Sequence, residues 1–93
     1  MDTLQMRLAH AGQMMDRDVV LDTLNVDDLT WALCFVESVA PEVSLQLSKP
    51  YLHSSEFMCE TYGDLLDAME FAAMEQLKTI RVSIYSEFER GEI

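Results

Sequence analysis

The chain has 93 residues, 49% of them hydrophobic, and sets 17 Asp and Glu against 6 Lys and Arg for a formal net charge of −11 at pH 7. That length predicts a single domain, 1–93, with a modest core and little stability to spare. The charge argues against direct binding to DNA, RNA or an anionic membrane, because phosphates need Lys and Arg to displace their counterions.

Leu4, Leu8, Ala11 and Met15 share one helical face and predict a helix over 3–15. Gly12 weakens it. Asp16-Arg17-Asp18 reads as a polar connector, and the apolar residues of 19–24 suit either an extended stretch or a loop packed on the core. Asn25 is a good N-cap, with Asp27 and Asp28 in the first turn, where carboxylates favour the helix dipole. This helix is expected to run to about Val39, since Pro41 disfavours helical backbone at Ala40. Its apolar residues Leu29, Leu33, Val36 and Ala40, widened by Trp31, Cys34 and Phe35, predict a central, well-covered helix. Between Pro41 and Pro50, Val43, Leu45 and Leu47 alternate with polar residues as in a strand, although Pro41 also suits the start of a short helix.

The last third carries the clearest pattern. At 100° per residue from Glu56, Met58, Tyr62, Leu65, Leu66, Met69, Ala73, Leu77, Ile80 and Ile84 fall on one side. Thr61-Tyr62-Gly63-Asp64 reads as a capping box, so a short helix at 54–60 is expected to end there and the main helix to begin at Tyr62. No Gly, Pro or Asn stops that helix before Phe88. Residues 79–85, Thr-Ile-Arg-Val-Ser-Ile-Tyr, also have the β-branched, alternating character of a strand. The adopted fold class is mostly α, a small bundle of three or four helices. The alternative is α+β, with short strands at 43–47 and 79–85 that pair.

Catalytic and metal signatures are missing from the sequence. His10 and His53 read as ordinary surface or boundary residues, and neither Cys34 nor Cys59 has metal-like spacing or a CxxC partner. Asp16, Asp18 and Asp22 faintly resemble a calcium loop, but its turning glycine and closing glutamate are absent. Three glycines cannot build a phosphate cradle. The expectation is no enzyme, no metal and no cofactor. With no visible signal peptide, no membrane-length apolar run and free thiols, a cytoplasmic protein is the simplest reading.

Two surface features stand out. Glu56, Glu60, Asp64 and Asp67 form an acidic ridge on the predicted helix, with Glu70 and Glu75 at its margins. Surface helices are normally charged, so a plain solvated face is the simple account, and a docking surface for basic groups is the functional one. Phe71, Met74, Val82 and Tyr85 project away from the predicted core stripe and offer a homodimer seam or a partner contact.

Leu24-Asn25-Val26-Asp27-Asp28-Leu29-Thr30 resembles the segment leading into the second helix of acyl carrier proteins, and Thr61-Tyr62-Gly63-Asp64-Leu65-Leu66-Asp67 is similar to the start of that family's last helix. The resemblance spans 20–70 loosely and rests on those two strings. Asp28 stands where the family has its phosphopantetheine-bearing serine and cannot form the phosphodiester. What the resemblance implies is a degenerate carrier without its prosthetic group, docking through Asp27, Asp28 and Glu37 on its second helix.

The function expected from the residues themselves is a non-enzymatic, acidic protein-binding module that meets a basic protein surface. The predicted contact residues are Glu56, Glu60, Asp64, Asp67, Glu70, Phe71, Met74 and Tyr85. A nucleic-acid-mimicking inhibitor, of the type phages or plasmids deploy, would use the same carboxylates as phosphate surrogates.

Overall fold

The computed structural model describes residues 3–47 and 57–84. Along the chain lie α1 (Leu4–Met14), a 3-10 turn (Leu21–Thr23), α2 (Val26–Glu37), β1 (Ser44–Leu47), β2 (Phe57–Cys59), α3 (Tyr62–Met74) and β3 (Thr79–Ile84). The strands form a three-stranded sheet in the order β1-β3-β2, and both pairings are parallel. The fold is therefore α/β. The expected helical bundle is overturned, and with it the helix from Tyr62 to Phe88 and the short helix at 54–60, whose described end is strand β2. The α+β alternative placed strands near β1 and β3 but did not include β2 or the parallel pairing.

The helix expected through residue 88 stops at Met74 for a reason that residue types conceal. Gln76 takes a left-handed backbone, with φ of 58°. Its N–H donates to the Ala73 carbonyl at 3.2 Å, and the Leu77 N–H donates to the Ala72 carbonyl at 2.9 Å. This pair of bonds is the Schellman ending, usually built with glycine at the left-handed position. It turns Leu77 back onto the core and releases Thr79–Ile84 as the central strand.

In that strand Ile80 and Val82 are fully buried while Thr79 and Arg81 are exposed. The register sets Leu45 beside Ile80, Phe57 beside Val82 and Cys59 beside Ile84, so one sheet face is apolar. The other face carries Ser44, Gln46, Met58, Thr79 and Arg81, all exposed, and the buried Ser83. Met58, expected in the core stripe, is thus on the outer face, and Val82, expected to project outward, is in the core.

Helix α3 touches β2, β3, α1 and α2. It buries Tyr62, Gly63, Leu65, Leu66, Ala68, Met69 and Ala72. This helix, and not α2, is the covered one. Helix α2 buries only Ala32 and Val36, with Leu29, Leu33 and Phe35 partly covered. The expectation of a central α2 is corrected: its apolar arc is wider than the strip the fold covers.

Long-range backbone bonds fasten the pieces. Residues 17–21 run along 60–63: Leu21 N–H donates to Glu60, Tyr62 N–H to Val19 and Gly63 N–H to Arg17, each at 2.9 Å. A Cβ at Gly63 would stand 3.1 Å from the Arg17 carbonyl oxygen and 3.2 Å from the Arg17 Cβ, so any larger residue there would have to push Arg17 back by a few tenths of an ångström. The buried Tyr62 hydroxyl donates to the Ala11 carbonyl at 2.6 Å, and Arg7 Nη1 donates to the Val39 carbonyl at 2.8 Å, just beyond the end of α2. Among the described residues, no helix is long and apolar enough to cross a membrane.

Candidate functional site

The caps that begin α2 and α3 stand where local spacing puts them. Asn25 accepts from the Asp28 N–H at 2.7 Å. Thr61 accepts from the Asp64 N–H at 3.3 Å, while the Asp64 carboxylate accepts from the N–H groups of Glu60 and Thr61 at 2.9 and 3.1 Å. This capping box satisfies amides that the first helical turn leaves open.

The residues of the expected ridge fare differently. Glu56 and Tyr85 lie outside the described residues. Glu60 is exposed and precedes α3 instead of lying on it. Asp64 is held in the capping box. Asp67 accepts from Arg17 Nη2 at 2.8 Å, a surface ion pair that ties the 16–22 segment to α3. Glu70 is half-buried and accepts from Gln5 on α1 at 3.4 Å. Phe71 is half-exposed, packed edge-on against Phe57 with ring centroids 5.5 Å apart, and Met74 is exposed. Asp64, Asp67 and Glu70 thus have internal partners, for which any docked cation would have to compete.

On α2 the carrier resemblance singles out Asp27, Asp28 and Glu37, and what the sequence reading misses there is the exposure of the apolar residues beside them. Helix α2 leaves Val26 79% and Trp31 65% exposed, with Asp27, Asp28, Thr30, Cys34 and Glu37 also at the surface. Asp27 and Asp28 precede Trp31 by four and three residues, and Cys34 and Phe35 follow it by three and four, so all border its ring on one helix surface. Phe35 meets Trp31 edge-on, with centroids 6.1 Å apart and ring planes at 87°. No Lys or Arg occurs between Arg17 and Lys49. That gap in basic residues around a Trp is the signal in the residues themselves that points to this face.

Burial, with help from Asp64 and Asp67, pushes the Cys59 thiol up to about 12. Such a thiol stays protonated and is a poor nucleophile at neutral pH. Burial also raises the Tyr62 phenol, partly opposed by Arg17. One surface hollow of about 370 Å³ is lined by Glu42, Val43, Ala73, Gln76, Leu77 and Lys78. Another, of about 480 Å³ between α1 and α3, includes Leu8, Gly12, Arg17, Asp67 and Glu70. Neither set of lining residues includes a Ser, Thr, Cys or His. Among the described residues no group of three or more His, Cys, Asp or Glu is placed to hold a metal ion.

Comparison with protein-family models, with curated proteins and with solved structures gives no match to this chain.

Proposed function

We propose that this chain is a non-enzymatic protein-binding module that docks through its carboxylates to a basic surface of another protein. The observation that supports this reading is the state of its charge. Among the described residues one ion pair forms, Arg17–Asp67, and it is itself half-exposed. The carboxylates of Asp16, Asp18, Asp22, Asp27, Asp28, Glu37 and Glu60 belong to exposed residues and take part in no ion pair there. Excess like charge destabilises a compact state, and a cationic partner relieves that repulsion on binding. A cytoplasmic setting suits the two free thiols, one of them exposed.

Affinity capture from the native host's lysate tests the reading, with elution from about 0.05 M to about 0.5 M salt. The expected result is a basic protein that is retained at low salt and released at high salt. Loss of that protein's DNA binding on capture would recast the module as a mimic of nucleic acid. Retention of nothing but the chain itself would overturn the proposal.

A further inference from the structure

We infer that the outer face of α2 is the docking surface, and that its occupant is an amphipathic cationic segment of a partner protein. A Lys or Arg of that segment lies against Trp31 beside Asp27 and Asp28, and the segment's apolar residues cover the rest of the exposed ring. The inference rests on the proposed function and adds the place and the partner's chemistry.

Three observations converge there. First, Trp31 is 65% exposed, and its edge-on contact with Phe35 braces one side of the ring. Trp is among the residue types enriched at the energetic centres of protein interfaces. Second, the open ring is bordered by the carboxylates of Asp27 and Asp28 one turn before it, with no basic side chain on the helix. A cation set on an aromatic face beside two carboxylates gains from both. Third, these side chains have no ion pair or side-chain hydrogen bond within the described residues, unlike Asp64, Asp67 and Glu70. Binding there breaks nothing in the fold.

Charge complementarity selects the occupant. An uncharged apolar partner would strip water from Asp27 and Asp28 without replacing it. A second copy of this chain would bring the same two carboxylates against them, and like charges in an interface disfavour the pairing. A segment carrying Lys or Arg beside Leu or Ile satisfies both halves of the face.

The test uses a synthetic, fluorescently labelled Leu/Lys peptide with an amphipathic helical repeat, beside an oligolysine of equal charge and a Leu/Glu control. Trp31 is the only tryptophan, so its emission reports on this face alone. The Leu/Lys peptide is expected to bind, to shift Trp31 emission to the blue and to weaken with salt, and the Leu/Glu peptide is expected to do neither. Trp31→Ala and the pair Asp27→Asn with Asp28→Asn are each expected to weaken binding about tenfold or more, measured by peptide anisotropy. Their circular dichroism spectra should match the unaltered chain. Undiminished binding in these variants, with loss in Asp18→Lys plus Asp22→Lys plus Glu60→Lys, overturns the α2 site and keeps the general proposal. Equal binding of oligolysine with no change in Trp31 emission likewise removes the aromatic anchor. Self-association abolished by Trp31→Ala in sedimentation overturns the cationic occupant in favour of a second copy. Failure of the unaltered chain to bind any cationic peptide overturns both readings.

Discussion

Alanine at Gly63 and alanine at Gly12 are the same chemical change on two helices, and the structure assigns them opposite signs. Helix propensity favours alanine over glycine by about 1 kcal/mol in a helix interior. At Gly12 nothing lies within 4 Å of the added Cβ, so Gly12→Ala is expected to stabilise by roughly 0.5–1 kcal/mol. At Gly63 the Cβ would meet the Arg17 carbonyl oxygen at 3.1 Å and the Arg17 Cβ and Nε at 3.2 Å. The guanidinium end can swing away, but the carbonyl cannot retreat freely, because the Gly63 N–H holds it at 2.9 Å. Overpacking of this kind costs about 1–3 kcal/mol, and a weakened backbone hydrogen bond adds up to about 1 kcal/mol. After the propensity gain, Gly63→Ala should lose roughly 1–2 kcal/mol. Urea unfolding followed by circular dichroism should therefore separate the two variants by about 2 kcal/mol, close to 10 °C in Tm for a domain this small. Equal stability of the two variants would refute the claim that the approach of residues 17–21 to α3 favours glycine at 63.

Three further outcomes follow from single groups. Gln76 holds a left-handed backbone that glycine adopts without steric cost, so Gln76→Gly should raise stability by about 0.5–1 kcal/mol in the same urea assay, whereas a helix continuing past residue 76 would be weakened by it. Cys34 is exposed and Cys59 buried with its thiol raised to about 12, so a thiol reagent at pH 8 should modify one equivalent quickly and the second only on unfolding. Two fast equivalents would contradict the burial of Cys59. The same thiol, with the Tyr62 phenol, makes stability depend on alkaline pH. Both groups keep their protons longer folded than unfolded, so their contribution is complete below about pH 9 and is lost as pH rises toward the folded values. The urea midpoint under reducing conditions should fall between about pH 9 and 11. A midpoint that rises there would reverse the assignment.

The caps of α2 and α3 were legible because a cap is a contact across three residues, written in adjacent letters. Helix and strand in the last third were not separable that way. Leu77, Ile80 and Ile84 are spaced as on a helix, while Ile80, Val82 and Ile84 are spaced as on a strand, and the same letters serve both. What decides is the left-handed Gln76, a position that carries no glycine, and pairing with β1 and β2, which the chain reaches only through long-range contacts. Strand β2 has three residues, too few to display alternation. The reversal of α2 and α3 has a similar origin. Both are rich in apolar residues, but Gly63, Ala68 and Ala72 let α3 approach neighbours on several sides, and composition alone does not reveal that. Of the expected site, the excess of acid was legible. Which acids the fold uses itself was hidden in partners as distant as Arg17 and Asp67, 50 residues apart.

That division among the carboxylates bears on where a partner can bind. A side chain that holds the fold together resists being borrowed, whereas one that the fold does not use can change partners at little cost. Trp31 is the sharpest case, because covering a large apolar side chain is worth about 2–3 kcal/mol and the fold leaves most of this ring in water. If the ring contributes nothing to folding beyond its edge contact with Phe35, Trp31→Ser should change stability by less than about 0.5 kcal/mol. The buried Tyr62 gives the contrast: Tyr62→Phe removes the hydroxyl that donates to Ala11 and should cost about 1–2 kcal/mol. Urea unfolding by circular dichroism compares the two directly. A loss above about 1 kcal/mol for Trp31→Ser would mean that the ring packs as part of the core, and the case for α2 as the docking face would lose its anchor.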